Sequence, residues 1–433
     1  MRIPGLRQVD TELVRAARDA RKGVEGLGPG LITGVADDDP SGISTYTIAG
    51  ATNGYGLLWT SILTLPMNFA VQSICARIGL VTGKGLAEVI SEHYGRKWLY
   101  PVVLLLVVAN VVNIGADIGA VAAGIELLTH VPAWTLVVPL GIGIAAMEVV
   151  VPYPQFARYL KLLTLVIFAY VVGAFVAGPD WGEALRGTVT PHISRDRETI
   201  ATLVAILGTT ISPYLFFWQA SEEVEEEEKR GVVLSELRPS EERGMLRAAN
   251  LDVAFGMVTA NVGFYFVVLT SAATLFAAGR TDVETPRQAA EALRPLAGDG
   301  AAALFAIGLI GTGLLAVPVL AGSAAYAVSE LFGWREGLSN TLRRAPQFYG
   351  VIALATLIGV GLVFSPISEI QALFIAAVVN GMTAPVILAF VMVTAADRRI
   401  LGDFTAGRLL RAVGWLATLA MAAAAVALLV TLA

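Results

Sequence analysis

Long apolar runs separated by short polar stretches follow one another along almost the whole chain. A helix needs ~20 apolar residues to cross a hydrocarbon core of about 30 Å. Runs of that order lie near 27–51, 56–80, 99–128, 132–152, 157–178, 199–221, 247–278, 300–331, 349–364, 368–394 and 409–432, which predicts eleven transmembrane helices. The run at 349–364 reaches a full span only with residues from Ala345 onward or with Pro366. Connections are short except for 179–198, 222–246 and 279–299, so no separate soluble domain fits between spans.

Two of the runs are interrupted. The first contains Asp37-Asp38-Asp39-Pro40-Ser41-Gly42, three carboxylates followed by a helix-breaking residue. An Asp at membrane depth costs about 3 kcal/mol on insertion scales, so acids placed there usually serve an ion or a proton. The sixth run contains Gly208-Thr209-Thr210-Ile211-Ser212-Pro213-Tyr214, where proline removes a backbone donor and small polar residues stand ready to replace the lost bonds. A lone proline would read as a kink. Two breaks five spans apart run in opposite directions and open two halves of five, the pattern of inverted-repeat transporters with an ion site near the midplane.

The expected organisation is therefore an all-α polytopic membrane protein with broken helices 1 and 6. It comprises a cytoplasmic arm (1–26), a first five-helix repeat (27–178), an extracellular loop (179–198), a second five-helix repeat (199–394) and an eleventh helix (395–433).

Composition excludes the soluble classes: 433 residues are 56% apolar and only 15% charged, with mean hydropathy +0.70. Lys and Arg concentrate in the N-terminal arm and alternate loops, which places the N-terminus in the cytoplasm and, with an odd number of spans, the C-terminus outside. A bacterial inner membrane is the expected location. The arm at 10–25, with Arg15, Arg18, Arg21 and Lys22, lacks the apolar stretch of a signal peptide and reads as a cytoplasmic or membrane-surface helix. Cys75 is the only cysteine, which rules out a disulfide framework and a thiolate cage. No phosphate-binding loop and no His-x-x-x-His within a span is present, so neither ATP-driven transport nor an intramembrane enzyme is supported. The implied partners are an ion or a proton and the lipid bilayer, with no nucleic acid, no obligate protein partner and no cofactor.

Gly28-Pro29-Gly30, Asp39-Pro40-Ser41-Gly42, Ala49-Gly50-Ala51, Gly54-Tyr55, Leu57-Leu58-Trp59, Ile78 to Lys84 and Ala87-Glu88, followed by Gly208 to Tyr214, resemble the NRAMP family of divalent-metal transporters. The resemblance implies a leucine-transporter-type fold of eleven helices. Typical members read Asp-Pro-Gly-Asn in helix one and Met-Pro-His in helix six; here Gly42 replaces Asn, Ser212 replaces Met and Tyr214 replaces His. A thioether favours softer transition metals, whereas oxygen donors suit hard ions. A wider, all-oxygen site suits a partly hydrated Mg²⁺, which gives up water reluctantly. The pattern is similar to an NRAMP-related branch of bacterial magnesium transporters.

The expected metal-site residues are Asp39 as the main ligand, Gly42 opening the cavity, Thr209 through its carbonyl, and Ser212 and Tyr214 lining the site, directly or through water. Asp37 and Asp38 either extend the acidic surface or cap the half-helix. Segment three keeps Asp117, but Ala120 stands where proton-coupled relatives carry a second acid, and Tyr214 cannot shuttle protons at neutral pH as a histidine can. His93, His130 and His192 fall in or beside loops. Gln371 and Asn380 in segment ten face the pathway or serve as packing contacts. The run Glu222 to Glu228 is expected to be a solvated block at the cytoplasmic end of helix six.

The leading reading is uptake of Mg²⁺, with Mn²⁺ also carried, by alternating access without proton coupling. A proton-coupled Mn²⁺/Fe²⁺ symporter is the alternative. A sodium-coupled organic-solute carrier is a third class, disfavoured by acids at the first break.

Overall fold

The computed structural model describes residues 28–191, 197–231, 234, 239–281, 286–365 and 369–432, and every regular element among them is helical. The arm at 10–25, His192 and the side chain of Gln371 lie outside the described residues.

The first apolar run forms α1 (Pro29–Ala36) and α2 (Pro40–Asn53). Then come α3 (Trp59–Thr82), α4 (Leu86–Tyr94), α5 (Arg96–Thr129) and α6 (Ala133–Val150). Next, α7 (Tyr153–Leu163) leads through a 3-10 turn into α8 (Phe168–Ala177). The expected external loop carries α9 (Trp181–Val189), capped by Asp180. The sixth run forms α10 (Arg197–Thr210) and α11 (Pro213–Arg230). They are followed by α12 (Pro239–Ser271), α13 (Pro286–Phe332), α14 (Pro346–Val363), α15 (Glu369–Thr394), the short α16 (Arg398–Leu401) and α17 (Arg408–Leu432). Within α13 the chain turns at Gly298, whose φ of +82° is open to glycine at little cost.

Among the described residues, eight helices are long and apolar enough to cross a membrane, or nine counting the bent pair Pro40–Leu57 and Trp59–Thr82, which meet at 110°. The expected first span falls short of that test for a local reason, because its run is divided into pieces of 8 and 14 residues. Segment ten forms a helix of 26 residues, α15.

Apolar side chains gain little by leaving lipid for a protein interior, so helices in a bilayer are held by close approach and buried hydrogen bonds. Both are present. Helix α5 runs through the middle of the bundle against α13, α14 and α15. A β-carbon on Gly115 would lie 2.7 Å from the Gly359 carbonyl, so only glycine permits that crossing of α5 and α14. At the α1–α12 crossing, β-carbons on Gly34 or Gly256 would collide with backbone of the facing helix. Asn110 on α5 donates to the Leu320 carbonyl of α13 at 3.0 Å. The outward faces are apolar instead: Ile142, Leu357 and Leu419 are exposed.

The acidic run corrects its sequence expectation. Glu222, Glu223, Glu225, Glu226 and Glu227 are buried, and Glu228 alone of the acids in this run is exposed. Tyr153 donates to Glu222 at 2.8 Å, Tyr326 to Glu225 at 2.9 Å, Gln219 to Glu223 at 2.9 Å and the Leu234 amide to Glu227 at 3.1 Å, while Lys229 pairs with Glu226 at 3.0 Å. Ser339 also bonds Glu225. Like charges in sequence were read as a solvated block, but successive helical residues face different neighbours, and each carboxylate finds its own donor.

Candidate metal centre

The two interruptions are built alike. Amides of Asp37 and Asp38 close the last turn of α1 on the carbonyls of Gly34 and Val35. Asp39 is then extended, with ψ 167°, and Pro40 opens α2 with a φ that suits a first helical turn. Ser212 is likewise extended, with ψ 130°, and Pro213 opens α11.

Asp39 caps its own helix: Oδ1 accepts from the Gly42 amide at 2.7 Å and from Ser41 Oγ at 2.8 Å. A β-carbon on Gly42 would stand 3.1 Å from the Asp37 carbonyl oxygen, 3.4 Å from Asp39 Oδ1 and 3.4 Å from Thr209 Oγ1. The missing side chain of Gly42 thus leaves a small space ringed by three oxygens from both interruptions. Ser212 does not cap α11. Its hydroxyl turns back to donate to the Thr209 carbonyl at 2.8 Å, so the carbonyl expected to serve as a ligand already has one partner. Tyr214, 1% exposed, donates to the Ala36 carbonyl at 2.7 Å and ties the second interruption to the first. Ser323 holds the Tyr214 carbonyl in turn, at 2.7 Å.

The other two acids of the triplet point elsewhere. Asp37 Oδ2 accepts from Asn68 of α3 at 3.1 Å, and its Oδ1 has no hydrogen-bond partner. Both oxygens of Asp38 are buried without a partner, and a β-carbon on Gly263 of α12 would collide with Oδ2. Asp117 of α5 is fully buried, has no partner for either oxygen and lies within electrostatic reach of Asp39. Among the described residues no three His, Cys, Asp or Glu side chains converge on one metal position. Any ion held here would therefore rest on one carboxylate with hydroxyl, carbonyl and water oxygens, since unpaired buried carboxylates demand a compensating cation or proton.

Sequence reading passed over several polar groups that shape the site. Asp252 on α12 accepts from the Gly28 amide at 2.8 Å and the Gly30 amide at 2.6 Å, satisfying the free donors at the start of α1. Its signal was an acid inside the seventh apolar run. Asn68, which bonds Asp37, is a similar case. Asn380, named from the sequence, is 4% exposed and keeps its Oδ1 unpartnered.

The Nramp family profile, described as natural resistance-associated macrophage protein-like, matches residues 30–431. The chain belongs to the Nramp family. Members of that family are metal transporters and not enzymes. A bacterial relative, the divalent metal cation transporter MntH of Verminephrobacter eiseniae, is 27% identical over 387 residues, covering 87% of this chain and 82% of that protein. The fold matches the crystal structure of the Eremococcus coleocola manganese transporter bound to an aromatic bis-isothiourea compound, with TM-score 0.73 and 18% identity over 92% of this chain and 84% of the other. A variant of that transporter superposes equally well, with TM-score 0.73. This Nramp-family chain thus shares its helical architecture with that transporter.

Proposed function

We propose that this chain takes up divalent cations across a bacterial inner membrane, with partly hydrated Mg²⁺ as the preferred ion and Mn²⁺ also carried. The observation that carries the reading is the set of oxygens at Gly42, from Asp39, Thr209 and the Asp37 carbonyl. Hard-ion chemistry follows from that donor set, and one carboxylate with retained water is the usual way of holding Mg²⁺.

In this reading α1 with α2 and α10 with α11 are the discontinuous spans of an eleven-helix, inverted-repeat transporter, with the N-terminus inside and the C-terminus outside. Ser41, Thr45, Ile48 and Thr52 are partly exposed at helical spacing along one face of α2, while all of α1 is buried. The site would then be reached from the outside past α2. The α1 end is held shut by Asp252 and Tyr214. Transport would run on the ion gradient and on a potential worth about 2.3 kcal/mol per charge per 100 mV.

Proton-coupled Mn²⁺ transport is the second reading, supported by the relatives being a divalent metal cation transporter and a manganese transporter and by the unpartnered Asp117 within electrostatic reach of Asp39. Uptake into proteoliposomes, with a pH dye in the lumen, separates the two. The magnesium reading expects millimolar Mg²⁺ to compete with Mn²⁺ and no acidification in step with influx. Mn²⁺ uptake indifferent to excess Mg²⁺, or acidification that scales with it, would favour the symporter.

A further inference from the structure

At the end of the bundle where α3 finishes and α12 begins lies a cavity of about 780 Å³, lined by none of the residues at the two helix interruptions. Three guanidinium groups line it, those of Arg77, Arg243 and Arg247, against two carboxylates, Glu242 and Asp403. Arg77 donates Nη1 to the Phe404 carbonyl at 3.0 Å, yet its buried Nε has no acceptor. Guanidinium groups offer the planar fork that suits phosphate.

The cavity also has an apolar side, Val81, Leu246 and Ile400, and α12 runs on from it. Arg243 and Arg247 are followed at helical spacing by Leu251, Phe255 and Val258, which are 65%, 50% and 48% exposed. That face passes from charge to lipid-facing hydrocarbon within a few turns, the profile of a molecule with an anionic head and an acyl tail. Basic pockets between helices at the cytoplasmic rim are suited to phosphate headgroups.

From these features we infer that the cavity binds the phosphate of an anionic phospholipid, with Arg77, Arg243 and Arg247 as its donors and the Leu251–Phe255–Val258 face as the acyl track. The inference uses the membrane placement given above and is independent of the transported ion.

Native mass spectrometry of the full-length protein tests it, with phosphatidylglycerol or phosphatidylcholine added at equal concentration in detergent. Phosphatidylglycerol should be retained about tenfold better, and Arg243→Gln with Arg247→Gln should abolish that preference. The double change to lysine, which keeps the charge at the same exposed positions, should keep part of it and so separates lost recognition from lost folding. Equal retention of the two lipids, or an unchanged preference in the Gln variant, overturns the site. Displacement of the lipid by millimolar inorganic phosphate overturns the lipid assignment in favour of a soluble phosphate.

Discussion

The two helix interruptions share a backbone and differ in what the residue before proline does. Asp39 caps the helix that follows it through its carboxylate, whereas Ser212 ignores its helix and bonds back to Thr209. The same proline geometry therefore delivers a charge at one break and a neutral hydroxyl at the other. A break supplies the opening, and the residue next to the proline decides the chemistry put into it.

The largest effect should come from removing the charged side of that contrast. Asp39→Ala is expected to abolish metal binding by titration calorimetry, while loss of its cap costs about 1 kcal/mol and leaves the protein monodisperse. Near-normal Mg²⁺ affinity in this variant would move the site away from the first break. Ser212→Met sharpens the comparison by putting a soft donor at the neutral break. It should shift the Mg²⁺-to-Mn²⁺ competition ratio in liposome uptake about tenfold toward Mn²⁺, and an unchanged ratio would mean that this position does not face the ion. Tyr214→Phe is the mildest test. It removes one buried hydrogen bond to Ala36, worth about 1 kcal/mol, and should shift the balance between closed and open α1 about fivefold. Spin-label distances between α1 and α11 would report that shift, and identical distributions would show that the tyrosine only fills space.

The apolar helical character and the places where Pro40 and Pro213 open a new helix were legible in the sequence because they rest on local properties. Apolar length, a proline and its neighbours act over one or two turns, so 27–51 and 199–221 announced their interruptions without any tertiary information. The resemblance at Asp39 to Gly42 likewise marked the candidate site. Side-chain direction was not legible. Asp37, Asp38 and Asp39 are adjacent in sequence but address Asn68, the Gly263 face of α12 and the start of α2 respectively.

What the sequence by itself determined is the membrane-spanning helical architecture, the places where helices cannot continue and the kinds of donor available there. The tertiary structure alone decided which of those donors meet. Asp252 reaches the amides of α1 from 222 residues or more away, and the Glu222 to Glu227 carboxylates are buried by hydroxyls and amides from several elements. A polar group's fate in a low-dielectric interior depends on the one partner within about 3 Å of it, and that partner is brought by helix packing rather than by neighbours in the chain.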